Sequence, residues 1–198
     1  EKVVVIDGKD HIYGRLAAVV AKQLLNGQRV VIVRAERLVA TGPIARLLRE
    51  WALYKAKNSV SNPSRGGPWH YKSPAKIAWK TIRGMIPHKT ARGAAAMGRL
   101  KIFEGCPHPY STMKKVVVTN ALKSVMLDSF RKFTYLGDLS DRIGWKHAGI
   151  VKTLEERRNE RAGKYYKDKI KVLQAVKKEG ANMPEVKKLR EQLSNYGY

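Results

Sequence analysis

Two short, uninterrupted apolar runs, residues 3–6 and 30–33, with a helix-spaced segment between them, constrain this chain more than any other feature. A strand that is apolar at every position must be covered on both faces, as in parallel sheets whose crossovers are helices. Asp7-Gly8 ends the first run. Leu16, Ala17, Val20, Ala21 and Leu24 then fall at i, i+1, i+4, i+5 and i+8, one helical face, and Gly27 stands where a helix C-terminus favours glycine. Strand, helix and strand in this order form a right-handed crossover unit, so the fold class is α/β with a parallel sheet.

The rest of the chain extends this frame. Residues 35–40 have no clear period. Thr41-Gly42-Pro43 opens a second helix with Ile44, Leu47, Leu48 and Trp51 on its buried stripe and Arg46, Arg49 and Glu50 outside. Asn62-Pro63 and Gly66-Gly67-Pro68 break that helix and leave a loop. Ser73 and Pro74 suit the cap and first position of a third helix, whose Ala75, Ala78, Trp79, Ile82 and Ile86 share a face. Lys76, Lys80 and Arg83 recur on the adjacent stripe. A fourth helix is predicted over 90–100, where Gly93, Ala94, Ala95 and Ala96 leave the backbone open to close approach by a helix or an RNA strand. Further strands are predicted at 101–103 and 116–118, and a short helix at 120–127. After Trp145 the pattern becomes a charged helix with a thin stripe of Ala162, Tyr166, Ile170 and Leu173. Residues 180–184 interrupt it, and Val186, Leu189 and Leu193 continue it. The expected division is a core of residues 1–147 with a basic insertion at 51–103, and a helical C-terminal arm at 148–198 that packs on another molecule.

Charge points to the partner. The chain has 40 Lys or Arg against 16 Asp or Glu, a net charge of +24. Residues 51–103 hold eleven of the bases and no acid, an imbalance that a merely solvated surface does not need. Within them, cations alternate with aromatics, His, Gly and Pro, the mixture that grips phosphate and stacks on unpaired bases. The candidate RNA-binding residues are Arg65, His70, Tyr71, Lys72, Lys76, Lys80, Arg83, His88, Lys89, Arg92, Arg99 and Lys101. Trp69 could stack on a base or lid the core, and Trp79 reads as core. The same cations would also serve a free RNA- or DNA-binding regulator.

Other chemistries find little support. Cys106 and His108 lack the further ligands of a metal site or the orienting group of a nucleophile. Residues 7–14 read DGKDHIYG rather than G-x-G-x-x-G, and no GxxxxGK[ST] string occurs. No catalytic residue, metal or cofactor is therefore expected. The lone cysteine excludes an internal disulfide and fits a reducing compartment, and no apolar run approaches the length of a membrane span, so a soluble intracellular protein is expected.

Three segments, HIYGRLAAVVAKQLLNGQRVVIVRAERLVATG from His11, RGMIPHKTARGAAAMGRLKIFEGCPHPY from Arg83 and GWKHAGIVKTLEERR from Gly144, closely resemble the large-subunit ribosomal protein L13 family. GPWHYKSPAKIAWKTIRGMIPHKT and the helical arm resemble its eukaryotic form. The resemblance implies a three-layer α/β/α core around a four-stranded parallel sheet, with a C-terminal helical extension and no enzyme activity. It further implies a structural constituent of the large ribosomal subunit that binds folded rRNA early in assembly, beside neighbouring ribosomal proteins. The implied location is the cytoplasm, on ribosomes, with nucleolar assembly. Tyr13 and Ala91 depart from the family pattern, which favours Leu and a cation there.

Overall fold

The computed structural model describes residues 2–58, 61–62 and 66–196. They form two compact units, one up to Lys152 and one from Thr153 onward. In the first, β1 (Val4–Asp7), β2 (Val30–Val33), β4 (Leu100–Ile102) and β5 (Lys115–Val116) make a four-stranded sheet in the order β4-β2-β1-β5, with every pairing parallel. The sheet is flanked by helices. One face, with Ile6, Val30 and Ile32, packs against α1 (Tyr13–Leu25), α3 (Pro74–Gly84) and α4 (Ala91–Gly98). The other face, with Val5, Val31 and Val33, is covered by Cys106, Val3, Phe103 and Tyr110. Leu16, Ala17, Val20, Ala21 and Leu24 are the buried residues of α1, the stripe its periodicity predicts.

In this strand order the chain moves outward from β1 through β2 to β4, then returns to β5 on the far side of β1. Open α/β sheets bind ligands at such a reversal, beyond the carboxyl ends of the strands. Here the place is filled by His11, which is fully buried. Its Nε2 accepts from the Val118 backbone N–H just past β5 (3.0 Å), so the ring proton sits on Nδ1 and is donated to the Lys9 carbonyl just past β1 (2.9 Å). The His11 ring thus stitches the two strand ends together.

Residues 35–40, without a period in the sequence, become a turn of 3₁₀ helix, Ala35–Arg37, and β3 (Val39–Thr41). β3 pairs antiparallel with β6 (Phe133–Tyr135), a second small sheet that the sequence does not signal. α6 (Leu136–Arg142) follows β6 and buries Leu136 and Leu139 in the main core. The predicted helix at 120–127 splits into a 3₁₀ turn, Thr119–Ala121, and α5 (Lys123–Met126).

α2 (Ile44–Ala56) differs from expectation in depth. Ile44, Leu47, Leu48 and Trp51 do form a stripe, yet no residue of this helix is fully buried. Two ion pairs hold the loops near the strand ends. Arg34, itself left-handed with φ 58°, donates to Asp7 through Nε (2.9 Å) and Nη2. Lys123 bonds Asp10 Oδ1 (2.9 Å) and the Tyr135 hydroxyl (3.0 Å), which in turn donates to Asp10 (3.0 Å).

The second unit consists of most of α7 (Ala148–Asn182) and of α8 (Pro184–Asn195). α7 runs for about 50 Å at 1.5 Å per residue. Arg158 grips Glu155 through two hydrogen bonds of 2.8 and 2.7 Å. Tyr166 and Leu173 of the predicted stripe are mostly exposed, as are Leu189 and Leu193 of α8. No helix among the described residues is long and apolar enough to cross a membrane.

Candidate nucleic-acid interface

The acid-free stretch folds around α3. The Ser73 Oγ accepts from the Lys76 N–H (3.4 Å) and Pro74 occupies the first helical position. The Glu104 carboxylate, from the first acidic residue after the stretch, accepts from the Ala75 N–H (3.2 Å). A hydroxyl and a carboxylate thus satisfy donors at the helix start, where the dipole favours negative charge. Ala75, Ala78 and Ile82 are buried against the core, with Ile86 beyond the helix end. That anchoring turns Lys76, Lys80 and Arg83 to one side, over aromatic rings.

Those rings come from three elements. Trp51 and Tyr54 end α2, Trp69, His70 and Tyr71 lie in the loop, and Trp79 is on α3. Tyr54 meets Trp51 and His70 edge-on at 5.5 and 4.6 Å, and Tyr71 meets Trp69 and Trp79 at 6.0 and 6.4 Å. Lys76 sits 5.3 Å from the Trp79 ring centre and 5.8 Å from that of Tyr71, and Arg83 sits 5.9 Å from Trp79. Such contacts hold cations in place while leaving their hydrogen-bond donors for a ligand.

Lys80 is used differently. It lies over the Tyr54 ring at 4.7 Å, donates to the Tyr54 hydroxyl, and donates to the Trp69 carbonyl at 2.7 Å. Tyr54 donates to the same carbonyl (2.9 Å). His70 donates from Nε2 to the Tyr54 backbone carbonyl (2.9 Å). Together Lys80, Tyr54 and His70 tie the loop to α2 and α3, so the expected stripe of three equivalent cations is two outward cations and one internal pin.

The remaining predicted residues separate in the same way. Lys72, Lys76, Lys89, Arg92 and Lys101 are exposed and have no carboxylate partner among the described residues. Arg99 is half-buried and donates to the Leu24 carbonyl at the end of α1 (3.3 Å), a helix-capping role. His88 is half-buried beside the Ile86 carbonyl, and Tyr71 is half-buried in the aromatic cluster. Arg65 and Pro63 lie outside the described residues.

Trp69, absent from the predicted set, is 70% exposed, which removes the reading of it as a lid on the core. Trp79 is half-buried against the core, in keeping with its sequence reading. Tyr54 was also missed, although its spacing of three from Trp51 places both on one side of the end of α2.

The small-residue helix α4 is capped by Thr90, whose Oγ1 accepts from the Gly93 N–H (3.2 Å) and donates to the Pro87 carbonyl (2.8 Å). A Cβ at Gly93 would lie 1.9 Å from the Pro87 oxygen. Gly93 is therefore needed for packing within the chain, whereas Ala94 and Ala95 are exposed.

Among the described residues, no group of three or more His, Cys, Asp or Glu side chains could hold a metal ion. The surface is an array of cations and rings carried by α2, the loop after it and α3. The family model described as ribosomal protein L13 matches residues 1–109. A Tetrahymena thermophila protein named large ribosomal subunit protein uL13 is 46% identical over 198 residues, covering 100% of this chain and 99% of its own. A Dictyostelium discoideum protein of the same name is 48% identical over 167 residues, covering 84% of this chain and 89% of its own. With the model spanning more than half of the sequence and both relatives aligned over most of their length, this chain belongs to the ribosomal protein L13 family.

Proposed function

We propose that the chain is a structural, non-enzymatic constituent of the large ribosomal subunit that binds and stabilises folded large-subunit rRNA from early in assembly. The observation that carries this reading is the set of exposed cations without carboxylate partners among the described residues, Lys72, Lys76, Lys89, Arg92 and Lys101, in a stretch that contains no acid. Arg83 and the exposed Trp69 ring extend it. Phosphates neutralise the cations and a loop base stacks on the indole, while the α/β core holds the array in register. The arm from α7 onward contacts neighbouring ribosomal proteins or rRNA, and the protein works on cytoplasmic ribosomes after assembly in the nucleolus.

The test is binding of the full chain to large-subunit rRNA across a salt series, together with sedimentation of cell extract. Each phosphate neutralised on single-stranded RNA contributes about 0.7 to the slope of log K against log salt. Replacing Lys76, Arg83 and Arg92 by Ala should lower the slope by about 2, and the wild-type chain should travel with large subunits and polysomes. An unchanged slope overturns the interface. A chain that stays in the light fractions is instead a free RNA-binding regulator.

A further inference from the structure

A groove lies beside β6, away from the acid-free stretch. It is an open, solvent-facing depression of about 680 Å³ beside β6 and the start of α2. The segment leading into β6 reads Ser129-Phe130-Arg131-Lys132-Phe133, two rings with two cations between them. Phe130 is 91% exposed and has no ring contact among the described residues. The Phe133 ring is already occupied, with Lys123 Nζ 4.2 Å from its centre and Tyr135 edge-on at 5.6 Å. Arg131, Lys132 and Arg142 line the groove against the single carboxylate of Asp138.

The backbone under these side chains is fixed. Gly42 N–H donates to the Lys132 carbonyl (2.8 Å), Thr134 Oγ1 to the Gly42 carbonyl (3.0 Å), and Arg131 N–H to the Asp128 carbonyl (3.0 Å). The held backbone lowers the entropy cost of ordering this segment on binding, while the exposed Phe130 ring keeps its own rotamer freedom. The cores of protein interfaces are enriched in aromatics and Arg but depleted in Lys. Here Arg131 and Lys132 follow Phe130 in sequence and line the same groove with it and Arg142, an arrangement that suits a nucleotide, whose base stacks and whose phosphate is negative.

We infer that this groove binds an unpaired RNA nucleotide, with Phe130 stacking on the base and Arg131, Lys132 and Arg142 holding the flanking phosphates. The inference rests on the rRNA-binding reading above and adds a base-stacking contact separate from the acid-free surface. An unpaired base is required because a base inside a duplex offers no free face.

The experiment uses the full chain and a 2-aminopurine-labelled, eight-nucleotide single-stranded RNA, with the matching duplex as control. Phe130→Ala should weaken single-strand binding roughly fivefold to a hundredfold, the size of one base–aromatic stack, with an unchanged salt slope and loss of the 2-aminopurine quenching. Arg131→Ala and Lys132→Ala should each lower the slope by about 0.7. The Lys76→Ala/Arg92→Ala chain separates the two surfaces, because it should keep the quenching. Unchanged affinity and quenching in Phe130→Ala, while Lys76→Ala/Arg92→Ala loses binding, overturns the groove and spares the rRNA reading. Failure of the wild-type chain to bind either this probe or rRNA overturns both. Crosslinking of Phe130 to protein rather than RNA in intact subunits also overturns the groove.

Discussion

Lys76 and Lys80 are one helical turn apart, yet the first faces outward over Trp79 and the second is tied to Trp69 and Tyr54. Substitution should separate them. Lys80→Ala should cost about 1–3 kcal/mol in a denaturant titration, because it removes a charged donor from a carbonyl and a hydroxyl that have other work in the loop. Lys76→Ala should stay within about 0.5 kcal/mol of wild type and change only the salt dependence of RNA binding. The helical spacing of Lys76, Lys80 and Arg83 was legible in the sequence, but the division among them was not. It depends on Tyr54 and Trp69, which lie 26 and 11 residues before Lys80 and meet it only in the folded loop. His11 was equally silent, since nothing local marks a histidine whose partner, Val118, is 107 residues away. His11→Ala should destabilise the fold by about 2–4 kcal/mol, since it leaves a buried donor unsatisfied and a cavity behind.

Among the elements, those with a period of their own could be read directly. The stripes of α1 and α3 and the parallel strands β1 and β2 follow from local spacing, and the Ser73-Pro74 start of α3 from capping chemistry. β3 and β6 could not be read, because each has three residues and pairs with a segment more than 90 residues distant. Gly93 shows how a correct element can carry a different purpose. Its lack of a side chain serves the Pro87 turn, so Gly93→Ala should lower stability by about 1–3 kcal/mol, measurable in thermal melts, whereas Ala94→Ser should be near neutral. The loops that join these elements carry the pH dependence. Burial opposes ionisation of Asp7 and Asp10, but hydrogen bonds from Arg34 and Lys9, and from Lys123 and Tyr135, outweigh it and hold both carboxyls below 3.8. Burial likewise opposes the charge on Lys123, but the bonds to Tyr135 and Asp10 raise it above 10.5. The carboxylate contribution is therefore complete well above pH 3.8 and lost as pH falls through the lower folded values. The Lys123 contribution is complete below pH 10.5 and lost as pH rises through its raised folded value. Urea midpoints should fall at both limits, and Asp10→Asn should flatten both limbs.

For the molecule as a whole, the concentration of charge was legible and its consequence for stability was not. Eleven bases in one acid-free stretch of a +24 chain repel one another, which costs the isolated protein stability there. Adding RNA at about 100 times its Kd should stabilise the chain by about 2.7 kcal/mol, seen as a rise in Tm that disappears in high salt. α2 is where this should be felt most. It has no fully buried residue, one end borders the Phe130 groove, and the other supplies Trp51 and Tyr54 to the aromatic cluster. Backbone amides of α2 should accordingly exchange with solvent sooner than those of α1 and become protected when RNA is added. If the two proposed surfaces both take RNA, α2 lies between them with neither side fully covered by its own chain, and its stability becomes a direct readout of whether the RNA is in place.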